Sequence, residues 1–160
     1  MTTGIRVTRT GSAEDDFTTL YRSQRDRLRR VAYLMTGQSA VAEEIVHDAF
    51  LRIHGRWDTI DVPGAYLRRT VVNLCLAWRG RTALARERTP RPPDRVDPPE
   101  LDETWALLER LTREQRVALV LRYYEDLPDG EIARIMGCRP ATVRTRIHRA
   151  LKALREEMTP

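Results

Sequence analysis

The sequence predicts an all-α protein: two small helical domains joined by a proline-rich linker. Three observations predict it. Apolar residues recur at helical spacing through most of the chain, and no segment alternates with the period of two that a strand requires. Glycines and capping residues punctuate that pattern where helices should stop and start. Between the two patterned halves lies RERTPRPPDRVDPPE, with five prolines and alternating charge. Such a stretch can neither bury a core nor donate a regular backbone ladder, so it reads as an extended tether.

Residues 1–13 carry no pattern and read as a flexible tail. The first helix starts near Asp15, with Phe17, Leu20, Tyr21, Leu28, Val31, Ala32 and Met35 on one stripe, and Thr36-Gly37 stops it. Ser39 is expected to cap a second helix, with Glu43 and Glu44 in its early turns and Val41, Ile45, Val46, Ala49, Phe50 and Ile53 inward. It ends near Gly55-Arg56-Trp57, and DTIDVPG, 58–64, reads as a loop. A third helix is expected from about Ala65 to Arg81, through Tyr66, Leu67, Val71, Leu74 and Trp78. The domains are accordingly placed at 14–81 and 102–158, with the linker at 82–101. In the second, Thr104–Leu111 reads as a short helix with Trp105, Leu108 and Leu111 inward. TREQ at 112–115 has capping-box spacing and opens the next helix.

Composition narrows the function classes. The chain has 160 residues, a net charge of +5 and no apolar run near the roughly 20 residues of a membrane span. No apolar signal segment is visible at the N-terminus, which points to the cytoplasm. Cys75 and Cys138 fall in different predicted units at no metal spacing, so both are expected as reduced bystanders. His47 and His54 have no metal partners at sensible spacing and read as surface residues. No phosphate-binding glycine loop is present, and no cofactor or small-molecule substrate is implied. Asp15-Asp16 and Glu43-Glu44 are neighbouring carboxylates, but early helical turns favour acids through the macrodipole, so no catalytic residue is assigned. Of 28 basic residues, every one but Lys152 is arginine, a bias that a GC-rich genome also produces.

The basic residues are unevenly placed. GCRPATVRTRIHRALKALR, residues 137 to 155, holds six basic residues and no acid. Its apolar residues Val143, Ile147, Ala150, Leu151 and Leu154 keep helical step, leaving Arg144, Thr145, His148, Arg149 and Lys152 on the opposite face. With EIARIM before it, Gly137 at the turn and Pro140 in the next first turn, this is the layout of a helix-turn-helix. The second helix of such a motif enters the major groove, where arginine pairs bidentately with guanine and Thr or His reaches base edges. Arg139, Lys152 and Arg155 are better placed for phosphates, and acid-free surface suits contacts that work by counterion release. The alternative for this motif is a solvated basic face on a plain three-helix bundle.

The whole arrangement resembles the extracytoplasmic-function sigma factors, two-domain members of the sigma-seventy family of bacterial RNA polymerase subunits. LYRSQRDRLRRVAYLMTGQSAVAEEIVHDAFLRIHGRW and PGAYLRRTVVNLCLAWRGR resemble the two halves of sigma domain two, and LTREQRVALVLRYYEDLPDGEIARIMGCRPATVRTRIHRAL resembles domain four. AYLRRTVVNL and LRYYEDL are most similar to a subgroup common in actinobacteria, the SigE-like one. The resemblance covers roughly residues 15 to 157.

It implies a promoter-specificity subunit that binds core RNA polymerase and promoter DNA. Glu43, Glu44, His47, Asp48 and Arg52 are then expected on the beta-prime clamp helices; without the resemblance they are a solvated helix face. The beta flap is implied as a second polymerase contact and an anti-sigma factor as a further partner. For the minus-ten element the resemblance implies Arg68, Arg69, Asn73 and Arg79. Asn73 matches the position near a flipped-base pocket, and the arginines hold strand phosphates. For the minus-thirty-five element it implies Arg139, Thr142, Arg144, Thr145, His148, Arg149 and Lys152. Arg139-Pro140-Ala141 departs from the family in lacking a Ser or Asp cap. The acidic end of the linker, Asp94 to Glu103, is expected to mimic nucleic acid in a basic polymerase channel. Substituting Asp94, Asp97 and Glu100 tests this through core binding and abortive initiation. A stand-alone helix-turn-helix regulator remains the alternative function; its mark would be a dimerisation helix, and no spare apolar face for one is seen.

Overall fold

The structure is a computed structural model that describes residues 12–78 and 99–159. The expected tail up to residue 11, most of the linker with Asp94 and Asp97, and Arg79 and Arg81 lie outside the described residues. All regular structure among the described residues is helical: α1 (Ala13–Thr36), α2 (Ser39–His54), a 3-10 turn (Trp57–Thr59), α3 (Pro63–Ala77), α4 (Pro99–Leu108), α5 (Arg113–Tyr123), α6 (Asp129–Met136) and α7 (Pro140–Met158).

Local chemistry sets most boundaries. Ser12 caps α1 by accepting from the Asp15 N–H, and Glu14, Asp15 and Asp16 fill its first turn, where the helix dipole favours acids. Gly37 ends it in the left-handed region at φ 72°. The capping box is present: Thr112 Oγ1 accepts from the Gln115 N–H, and Gln115 Oε1 accepts from the Thr112 N–H. Gly137 turns the chain at φ 65°, and Pro140 begins α7.

Four expectations need correction. Ser39 does not cap α2: it is the first helical residue and buried, Gln38 holds the cap position, and no side chain bonds there. Glu43 and Glu44 lie beyond the first turn of α2, so the macrodipole does not account for them. α3 starts two residues early, because Pro63 suits the first helical position, and stops at Ala77, not Arg81. Trp78 turns extended there, and Arg113 of the second bundle donates Nη1 to the Leu76 carbonyl at 2.8 Å, meeting a helix-end acceptor. α4 starts earlier than Thr104, with Glu100 and Asp102 in its first turn.

The first bundle packs α1, α2 and α3 around Leu20, Val31, Leu34, Ile53, Leu67 and Val71, all nearly inaccessible. The second packs α5, α6 and α7 around Val117, Leu121, Leu127, Ile132 and Val143. The two bundles also pack on each other. α1 touches α4 and α5, and α3 touches α5 and α6, so the buried residues form one continuous core. Tyr33 donates to Asp102 at 2.6 Å, and Trp105 sits against Gly37. The bundles are thus seated together, beyond what a tether alone requires.

Candidate nucleic-acid interface

α7 is amphipathic in the expected sense. Val143, Ile147 and Ala150 are buried, while Arg144, Thr145, His148, Arg149 and Lys152 are exposed on the outer face. Arg139 is exposed at the N-cap, and Thr142 is half-buried one turn in. The structure therefore brings all seven of these residues to the leading end and outer face of one helix. Thr145 donates its hydroxyl proton to the Ala141 carbonyl at 3.0 Å. In this rotamer it offers a base edge an acceptor and a methyl group, not a donor. Arg144 lies 3.7 Å from Asp129, which also pairs with Arg122 at 2.5 Å. Asp129 opens α6 and so links the two helices of the motif, a tie that sequence reading missed.

α3 splits the second predicted set. Arg69 and Asn73, one helical turn apart, are both exposed and share a face. Arg68 points elsewhere. Its Nε meets Glu125 Oε2 at 3.0 Å, and its Nη1 lies 3.9 Å from Glu131. Trp78 is half-buried against the core, as its expected packing role requires.

On α2, Glu44, His47 and Arg52 are exposed, and Asp48 and Arg52 pair at 3.1 Å. Glu43, Glu44 and His47 line a cleft of about 310 Å³ with Tyr21, Arg25 and Arg29 of α1. The arginines are a contribution that the α2 pattern alone could not reveal. A second, apolar groove of about 520 Å³ lies between α4, α5 and α7, lined by Leu107, Leu119, Tyr123, Tyr124, Leu151 and Leu154. Leu107 and Tyr123 are exposed in it, although their spacing gave no warning.

No group of three or more His, Cys, Asp or Glu among the described residues could hold a metal ion, and no helix there is long and apolar enough to cross a membrane. Cys75 and Cys138 are free thiols. Burial pushes the Cys75 thiol up to about 12, because an apolar core penalises the thiolate.

Comparison with known proteins agrees with this geometry. Sigma-70 region 2 matches residues 20–84, and sigma-70 region 4 matches residues 101–154. The RNA polymerase sigma-E factor of Streptomyces coelicolor is 32% identical over 152 residues, covering 89% of this chain and 86% of that protein. The extracytoplasmic-function sigma factor SigJ of Mycobacterium tuberculosis superposes with a TM-score of 0.62 at 32% identity, over 86% of this chain and 52% of that one. The sigma factor RpoE of Bartonella quintana, solved in complex with the anti-sigma factor NepR, shares the fold with a TM-score of 0.67 at 21% identity, over 89% and 96%. An all-helical chain with both regions in order, a helix-turn-helix at its end and relatives spanning nearly its full length belongs to the extracytoplasmic-function sigma factors of the sigma-70 family: it is an RNA polymerase sigma factor.

Proposed function

We propose that this chain acts in the cytoplasm as a dissociable specificity subunit whose two bundles divide the promoter between them, without chemistry of its own. The observation that carries this reading is the α7 face, where Arg144, Thr145, His148 and Arg149 stand exposed over a buried apolar stripe. Arg144 and Arg149 read base edges of the minus-thirty-five element; Thr145 and His148 add weaker contacts, and Arg139, Thr142 and Lys152 hold its phosphates. Arg69 and Asn73 work on the minus-ten element, Asn73 at an unstacked base and Arg69 on the strand backbone. Arg68 joins them once it is free of Glu125. Arg79 has the same assignment from its position in the sequence. Melting draws on trapped bases and strand contacts, and no nucleotide is hydrolysed.

Glu43, Glu44, His47, Asp48 and Arg52 meet the clamp helices of the largest polymerase subunit. Mixed charge on α2 and the arginines of the neighbouring cleft support a polar docking surface. The apolar groove of the second bundle suits the beta flap, since Leu107 and Tyr123 are exposed there. An anti-sigma factor is a further partner, as for the Bartonella relative. The domain boundaries follow: 14–81 for the first unit and 102–158 for the second, with the helix of the latter extending back to Pro99.

The experiment is to mix the purified chain with sigma-free bacterial core enzyme on a sizing column, then assay initiation on genomic fragments. Co-elution with specific initiation is the expected result. Tight binding to duplex DNA by the chain alone, without co-elution, would favour a stand-alone regulator.

A further inference from the structure

Glu125 follows α5 in the second bundle, yet its carboxylate is enclosed by the first. Its side chain is 1% exposed, with Arg27 Nε of α1 on Oε1 at 2.9 Å and Arg68 Nε of α3 on Oε2 at 3.0 Å. The local backbone aims it there. Asp126 adopts a left-handed φ of 54°, and Leu127 folds back to bond the Leu121 carbonyl. A carboxylate removed from water is tolerable only when its charge and lone pairs are both met, and two guanidiniums meet them here.

This arrangement cannot engage a whole promoter. Elements centred about 10 and 35 base pairs upstream are about 85 Å apart at about 3.4 Å per base pair. A compact chain of this length has a radius of gyration of about 15 Å, hence a width of about 40 Å. The roughly 20 residues between the bundles can span up to about 70 Å when extended. Separation is therefore within reach, and it must pull Glu125 off Arg27 and Arg68. What remains is a pair of guanidiniums, one from α1 and one from α3, spaced to take two oxygens of one anion.

We propose that Glu125 is a latch: its carboxylate holds on Arg27 and Arg68 the place that a DNA phosphate takes in the opened chain, so the free protein is closed and binds DNA poorly. Arg27 thereby becomes a strand-phosphate contact. The inference rests on the reading of α3 as the minus-ten surface. Apparent affinity in such a system is the intrinsic affinity multiplied by the open fraction, so opening the latch raises it directly.

The test uses the full chain with Glu125→Gln and, separately, Arg27→Glu, which repels Glu125 from a half-exposed position without altering the buried acid. Small-angle scattering reads the opening, and a fluorescent random-sequence single-stranded 20-mer reads phosphate binding. Both variants are expected to increase the radius of gyration by at least about a quarter. Glu125→Gln should bind the strand about tenfold tighter, whereas Arg27→Glu should open without gaining affinity, because it lacks one guanidinium. If both folded variants stay compact, the latch is wrong; if Glu125→Gln does not fold, a compact Arg27→Glu alone is enough to overturn it. Opening without tighter strand binding by Glu125→Gln, or equal gain in Arg27→Glu, overturns the phosphate assignment. Failure of the minus-ten reading has a different signature: Arg69→Ala and Asn73→Ala leave core-dependent initiation unchanged, whatever the scattering shows.

Discussion

The benzo edge of the Trp105 indole occupies the space where a Cβ on Gly37 would lie. Gly37 thus has two functions in one position. It ends α1 in a left-handed conformation, donating its N–H to the Tyr33 carbonyl at 2.7 Å, and it forms the socket in which the second bundle seats. Gly37→Ala should therefore lose about 1 kcal/mol for the backbone and about 1–3 kcal/mol for the collision. For a chain of this size that lowers the melting temperature by about 5–15 °C. Thermal melts followed by circular dichroism check it; an unchanged melt would show that Trp105 does not seat there.

The capping box at Thr112 and Gln115 holds the start of α5, the helix that carries Val117, Leu119 and Leu121 into the core. Thr112→Ala should destabilise the fold by about 1 kcal/mol, with the denaturant slope unchanged. A urea titration should show the midpoint falling by about 0.5 M.

On α7, base readers and phosphate contacts differ in their salt signature. Arg144→Ala and Arg149→Ala should each lose about 1–3 kcal/mol of promoter discrimination, since bidentate arginine contacts have that magnitude. Lys152→Ala should weaken binding evenly across sequences and reduce the slope of log affinity against log salt by about 0.9. Competition binding over a salt series separates the two. If neither arginine variant changes promoter choice, the recognition face is misassigned.

Cys75 and Cys138 should report folding by their reactivity. Cys75 is buried and its ionisation lies near 12, so at pH 8 it remains a thiol shielded from reagents. Cys138 is half-buried, with Arg146 Nη1 at 3.6 Å from its sulfur. One thiol of two should react promptly in the native chain and both in denaturant. The sign of the linkage also follows. The folded state holds the Cys75 proton more tightly than the unfolded state, whose thiol ionises near 9, so this contribution to stability is full below pH 9 and is lost as pH rises toward 12. A Cys75→Ser chain should be less sensitive to pH over that window.

The helical pattern was legible because it is local. Gly37, Gly137, Thr112 and Pro140 act within a turn of their own positions, and the buried stripe of α7 repeats every three or four residues. Ser39 misled because serine favours the cap position by residue type, whereas the backbone path after Gly37 put Gln38 there and Ser39 in the first turn. The end of α3 misled because the apolar step continues to Trp78, while the helix stops at Ala77, where Arg113 takes the Leu76 carbonyl. For the candidate site, the α7 face could be read from charge and step alone. The split between Arg68 and the Arg69–Asn73 face could not, since adjacent arginines look alike until one meets an acid.

By itself, then, the sequence determined the course of the helices, the stops and caps at Gly37, Thr112 and Gly137, the helix-turn-helix and its acid-free face, because hydrophobic step and backbone capping act over i to i+4. Only the tertiary structure decided that the two bundles close on each other, that Trp105 fills the Gly37 socket, and that Glu125 lies buried between Arg27 and Arg68. Arg27 and Glu125 stand 98 residues apart. Nothing in local spacing distinguishes a carboxylate bound for solvent from one that two distant guanidiniums make tolerable in the interior.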